Sequence, residues 1–197
     1  MKNIRHLSRE EIENALKDIG EPRFRAGQVW QWIWEKNAPS FDAMTNLPVS
    51  LRTKLSEHFA FYKMQPEVVQ QSTDGTMKFG FRLFDNDLVE GVLIPQEKRM
   101  TACISSQVGC SLTCSFCATA RLPRKRNLFF DEIYDQVAFI NEQARQHYHT
   151  HLTNIVYMGM GEPHLNYRNM MRSVDRITSP DGLGMSPQRI TVSTAGI

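Results

Sequence analysis

Residues 100–120 read MTACISSQVGCSLTCSFCATA. MTACISSQ reads as a strand that runs directly into a loop carrying Cys110, Cys114 and Cys117, with Phe116 just before the last. This C-x3-C-x2-C spacing offers three thiolates from one short loop. A closed structural zinc site takes four ligands, and a ferredoxin-type iron–sulfur cluster also takes four cysteines. A cubane held by three leaves one iron open to bind a small molecule.

The chain has four cysteines, all between positions 103 and 117. A secreted disulfide scaffold spreads its cysteines to close loops along the chain, so this clustering points to a metal site in a reducing compartment. Were the metal zinc, a fourth ligand would come from Cys103 or from His147, His149 and His151.

Downstream, the pattern alternates. A helix capped by Asp131 carries Ile133, Val137, Ile140 and Ala144 on one face. LTNIVYM (152–158) reads as a strand buried on both sides, as in a parallel sheet. Asn166 opens a second helix with Met170, Val174 and Ile177, and RITVST (189–194) is a third strand. Strand–helix–strand–helix–strand predicts βαβ units and an α/β fold.

Upstream, TMKFGFRLF and LVEGVLIP flank the turn-like DND (85–87), which predicts an antiparallel hairpin. Residues 1–60 read as three helices. Ser8 and Glu11 form a capping box and Gly20 stops the first helix. The second spans about 23–35, with Ala26, Val29, Trp30, Ile33 and Trp34 on its apolar side. The third spans about 49–59, with Leu51, Leu55 and Phe59 at helical spacing. The expected organisation is a helical accessory domain (1–62), a β-hairpin region (63–98) and an α/β core (99–197).

GMGEP (159–163) follows the second parallel strand. In α/β proteins ligands bind where strands end at their carboxyl edge. Gly159 and Gly161 permit a close backbone approach or a positive φ, and Glu162 offers a carboxylate to an ammonium group. Ser193 and Thr194 end the third strand at the same edge.

The 197 residues are 41% apolar and 22% charged, with net charge +2, a balance too even to argue for nucleic acid by itself. The cations are clustered, however: Arg121, Arg124, Lys125 and Arg126 fall just after the cysteine loop. The charged N-terminus lacks a signal-peptide core, and no apolar run approaches the ~20 residues of a membrane span. A cytoplasmic protein with no membrane partner is expected.

Taken together, FRAGQVWQWIW, SFDAMTNLP, VEGVLIP, CISSQVGCSLTCSFCATA, RNL, GMGEP and RITVSTAGI resemble the RlmN-type radical S-adenosylmethionine (SAM) methyltransferases, which modify adenine C2 in 23S rRNA and tRNA. The resemblance covers the chain from about residue 24 to its end. It implies a radical-SAM (β/α) barrel of which this chain holds the first three strands. Cys110, Cys114 and Cys117 would bind three irons of a [4Fe-4S] cluster, and the fourth iron would chelate SAM. Gly161, Glu162 and Ser193 would hold SAM. One-electron reduction, by a donor such as flavodoxin or ferredoxin, would release a 5′-deoxyadenosyl radical.

In such enzymes one SAM methylates a cysteine late in the chain, and that methyl group is then activated and transferred. Glu90 matches the position assigned as proton acceptor, and Cys103 the cysteine that resolves the protein–RNA crosslink through a transient disulfide. Arg121, Arg124, Lys125 and Arg126 would contact RNA phosphates. A monomer is expected. Two departures stand out. Ala120 and Pro123 occupy positions where many family members carry glycine, and the methyl-carrying cysteine would lie beyond residue 197, so this chain is expected to be an N-terminal portion that does not complete transfer. Two other readings share parts of the pattern: the related adenine C8-methyltransferases, and a zinc-stabilised RNA-binding protein without catalysis.

Overall fold

A computed structural model describes all residues, 1–197. The chain forms two compact units, residues 1–63 with 180–182, and residues 64–179 with 183–197.

The first unit opens with β1 (Lys2–Asn3), followed by α1 (Arg9–Asp18), α2 (Arg25–Trp34), α3 (Val49–His58) and β2 (Phe59–Ala60). The Ser8 side chain accepts the Glu11 N–H at 3.1 Å while Glu11 accepts the Ser8 N–H at 2.7 Å, completing the capping box. At the other end Gly20 takes φ +75. Its N–H reaches Lys17 O, and the Glu21 N–H reaches Leu16 O at 2.8 Å, a Schellman stop. Ile12, Leu16, Val29, Ile33, Trp34, Leu51 and Leu55 form the core. Phe59 leaves the third helix instead of extending it, because Phe59 and Ala60 pair in parallel with Lys2 and Asn3. Arg5 is buried with its guanidinium 5.1 Å from the Trp34 ring centroid, and it donates to Tyr62 O at 3.1 Å. Such partners offset the cost of burying its charge.

The second unit contains β3 (Gln65–Gln71), β4 (Met77–Arg82), β5 (Leu88–Gln96), β6 (Arg99–Cys103), β7 (Gln107–Val108), β8 (Arg126–Asn127), α4 (Phe130–Tyr148), β9 (Asn154–Tyr157), α5 (Tyr167–Thr178) and β10 (Ile190–Val192). Six strands make one sheet in the order β10-β9-β6-β5-β4-β3. The predicted hairpin is β4–β5, with Asn86 at φ +67 in its turn. It is continuous with the parallel strands, because β5 pairs antiparallel with β6 and β6 pairs parallel with β9. The edge strand β3 was not expected. Every residue of QPEVVQQ is exposed, so the segment carries no apolar alternation.

Met77, Phe79, Phe81, Val89, Leu93, Ala102, Ile155 and Tyr157 are buried on one face of this sheet. Phe139 of α4 meets Phe79 and Phe81 edge-on, at 5.3 and 5.4 Å between centroids. Gly91 faces the same helix. A Cβ there would lie 2.9 Å from Phe81 Cε2 and 3.1 Å from Ile140 Cδ1. The other face is open. LTNIVYM therefore alternates, with Ile155 and Tyr157 buried and Asn154 and Val156 half-buried. It is not buried on both sides as predicted, because helices cover only one face here.

The cap of α4 also differs from expectation. The helix begins at Phe130, and Glu132, rather than Asp131, takes the Phe129 N–H at 2.8 Å. Ile133, Val137, Ile140 and Ala144 line its buried face as predicted. Asn166 stands at the N-terminus of α5, but its side chain does not cap the helix.

Candidate functional site

Past Cys103 the chain continues along β9. The Ile104 N–H reaches Val156 O at 3.0 Å. Residues 104–108 are buried and lead into β7, which pairs antiparallel with β8. The cysteine loop is thus a closed loop with a two-stranded neck, Gln107 opposite Asn127 and Val108 opposite Arg126. Gly109 follows at φ +72, and a Cβ there would sit 2.2 Å from Pro123 O. Only glycine lets the two arms cross so closely.

Cys110, Cys114 and Cys117 are free and partly exposed. The Leu112 N–H approaches Cys110 Sγ at 3.4 Å. The Ala120 N–H, with help from Thr119, holds the Cys117 thiol below its usual value. Donors of this kind favour thiolates, the form that binds metals. The three sulfurs do not stand together as a formed metal cage. What matches an iron–sulfur group is the donor set: three unpaired thiols on one loop, with amides directed at sulfur. The histidines at the end of α4 are poorly placed to join them. That helix starts beside the loop neck and spans 19 residues, about 28 Å at the usual rise.

GMGEP packs against the same segment. The Gly159 N–H donates to Ile104 O at 3.0 Å, the Met160 N–H to Ser105 Oγ at 2.9 Å, and the Glu162 N–H to Gln107 Oε1 at 2.9 Å. Ser106 N–H returns a bond to Met160 O at 2.8 Å. Gly161 adopts φ +95, and a Cβ there would be 2.4 Å from Gln107 Cβ. The close approach permitted by both glycines is therefore to residues 104–107.

Glu162 is buried. Its carboxylate accepts the His164 N–H at 3.0 Å and the Ala195 N–H at 2.8 Å. Burial works against its charge, but these amides, Thr194 and His164 outweigh it and hold the carboxyl below the usual range. Glu162 thus ties the loop after β9 to the segment after β10. Ser193 lies in that segment and is exposed.

Over its full length the chain is 57% identical to a probable dual-specificity RNA methyltransferase RlmN of Cytophaga hutchinsonii, covering 54% of that protein. It is 46% identical to the dual-specificity RNA methyltransferase RlmN of Nitratidesulfovibrio vulgaris, covering 56%. Residues 2–61 match the model of the ribosomal RNA large subunit methyltransferase N-terminal domain. Along its whole length the chain is similar to these RlmN sequences. It spans about half the length of the curated relatives it matches. A solved radical SAM methyltransferase from Sphaerobacter thermophilus superimposes with a TM-score of 0.89 at 40% identity, the chain covering 58% of that structure.

Glu90 and Cys103 come to the open face of the sheet. Val92 pairs with Cys103, Cys103 with Val156, and Val156 with Thr191, forming one transverse row. Glu90 is two residues from Val92 on the same face and forms an ion pair with Lys78 at 2.7 Å. Burial pushes the Cys103 thiol up, offset in part by the Met158 N–H directed at its sulfur. Of the basic run, Arg121 and Arg124 are exposed, and Arg124 also reaches Asn127 Oδ1 at 3.0 Å. Lys125 pairs with Asp87, and Arg126 is bound to Asp85 and Glu132.

Several positioning residues had no motif to announce them. Gln136 of α4, fully buried, accepts the Ser105 N–H at 2.8 Å and donates to Ser105 O at 3.0 Å. Asn166 donates to both Ser106 O and Leu128 O at 2.8 Å. Gln107 bridges Glu162 N–H and Asn127. Ser105 and Gln107 lie within CISSQVGC, but their types alone did not indicate a role. Only burial identifies them.

Proposed function

We propose that the chain is the N-terminal part of a radical SAM methyltransferase that acts on C2 of an adenosine in 23S rRNA and tRNA. The arrangement that carries this reading is the shared sheet edge. The cysteine loop leaves the sheet through residues 104–107, and GMGEP, leaving β9 at the same edge, is hydrogen-bonded to that segment. On this reading β6, β9 and β10 are the first three strands of a (β/α) barrel, β3–β5 extend its sheet, and residues 1–62 are an accessory domain.

Cys110, Cys114 and Cys117 would hold a [4Fe-4S] cluster, and with SAM and an electron from a flavodoxin or ferredoxin that group would supply the radical chemistry. Glu162 keeps acceptor positions beyond those its amides use, since a carboxylate offers about four; these suit the SAM ammonium group. Gly161 brings the backbone alongside, and the exposed Ser193 hydroxyl serves the same ligand. Glu90 accepts a proton from the target base. Cys103, on the same open face, would attack as a thiolate the sulfur of the methyl-carrying cysteine in the covalent adduct: the disulfide forms, the sulfur–carbon bond breaks, and its electron pair leaves with the carbon that stays on the base. The exposed Arg121 and Arg124 meet RNA phosphates.

Anaerobic reconstitution with iron and sulfide tests the reading. Broad visible absorbance that is lost in Cys114→Ala is expected. Stoichiometric zinc with no iron would overturn it in favour of a structural zinc site.

A further inference from the structure

Arg126 stands on β8, directly opposite Val108 and so at the neck of the cysteine loop. Its guanidinium is forked onto Glu132, Nη1 to Oε2 at 2.7 Å and Nη2 to Oε1 at 2.8 Å. Nε reaches Asp85 Oδ2 at 2.5 Å and Nη1 also reaches Asn127 O at 3.1 Å. Four of the five N–H donors of an arginine are thus engaged. The rings of Phe84 and Phe129 flank the group at 5.1 and 5.6 Å. A guanidinium so occupied has little left for a phosphate.

The partners come from two directions. Glu132 is in the first turn of α4, and it also accepts the Phe129 N–H. Asp85 and Phe84 belong to the β4–β5 turn, some forty residues upstream. That turn is set by Leu83 N–H to Asp87 O at 2.9 Å and Asn86 N–H to Leu83 O at 3.0 Å. It offers Asp85 to Arg126 and Asp87 to the adjacent Lys125. The Lys125 N–H in turn closes the neck on Val108 O at 2.9 Å.

We propose that Arg126 is a positioning residue for the cysteine loop, clamping its exit to the β4–β5 turn so that the thiols are presented at the sheet edge. The proposal rests on the cluster reading above. It makes the hairpin turn part of the support of the metal loop, and it removes Arg126 from the RNA-facing cations. The planar fork matters as much as the charge, because an ammonium group cannot hold two carboxylates, a carbonyl and two rings at once.

Asp85→Asn and Arg126→Lys test this in the reconstituted protein. Asp85→Asn is nearly isosteric, lies in a turn and leaves the Glu132 fork intact. In both variants loss of the visible absorbance to a chelator is expected to accelerate on the order of tenfold, the scale of outer-shell changes at metal sites. Amide exchange at Lys125 and Leu128 rises, while exchange at Ile155 in β9 stays at the wild-type rate. Faster exchange with unchanged cluster retention would make the contact merely structural and overturn the proposal, as would no change in either. Loss of RNA binding alone would return Arg126 to the RNA contacts. If the wild-type chain takes up no cluster, the cofactor reading fails. The clamp is then judged by the alkylation rate of Cys110, which Asp85→Asn must raise.

Discussion

Glu162 Oε2 accepts the Ala195 N–H at 2.8 Å, joining the loop after one parallel strand to the segment after the next. Glu162→Ala leaves this donor and the His164 N–H without their acceptor. A loss of about 1–3 kcal/mol is expected in denaturant unfolding, with faster amide exchange at Ala195. The pH dependence has a definite sign. The folded carboxyl is held below its ordinary value of 4.5, so its contribution is complete above that value and is lost as pH falls through the lower folded value. Glu162→Gln flattens that acid limb, and an unchanged limb would show that other carboxylates carry it.

Gly161→Ala sets a side chain 2.4 Å from Gln107 Cβ at φ +95. Both strain and overlap follow, and a destabilisation of about 3 kcal/mol or more is expected by thermal or denaturant unfolding. Gly184→Ala is a useful control. It also has positive φ, at +62, but nothing lies within 4 Å of the added Cβ, so its cost is confined to backbone strain.

The cysteines differ in reactivity in a predictable order. Cys117 has its thiol lowered by the Ala120 N–H, whereas burial raises Cys103. Brief alkylation of the metal-free chain at about pH 8, close to the ordinary thiol value, is expected to label Cys117 first and Cys103 last. Peptide mass spectrometry reads the order directly, and early labelling of Cys103 would contradict the burial argument.

Gln136→Leu removes two hydrogen bonds to the Ser105 backbone and leaves a buried N–H and C=O unpaired. About 2–4 kcal/mol of stability should be lost. Gln136→Glu keeps the acceptor for the Ser105 N–H but sets an oxygen against the Ser105 carbonyl, so it is expected to rescue little.

What the sequence made legible was local or strongly periodic. The Ser8–Glu11 box and the Gly20 stop are decided within a few residues, and the apolar face of α4 repeats over several turns. Strand β3 was hidden because an exposed edge needs no apolar pattern, and β1–β2 because two paired residues leave no signature. At the site, cysteine spacing and GMGEP marked the loops. The buried amides that position them, Gln107, Gln136 and Asn166, have side chains that are common on surfaces, so only the folded backbone reveals their tasks. Arg126 shows the converse case, a cation inside a basic run that turns inward because acidic partners arrive from a distant turn.

Gly91 has one more consequence. Side chains alternate along β5, so sliding the strand by a single residue would exchange its two faces. Glu90 would then point into the helix layer, and Val89 and Leu93 into the open side. A Cβ at this point would already press on Phe81 and Ile140, so Glu90 or Val92 could occupy it only by displacing those side chains. A residue without a side chain thus acts as an alignment key. It decides which carboxylate shares a surface with Cys103, and a bulkier replacement should mispair the strand before it disturbs any chemistry.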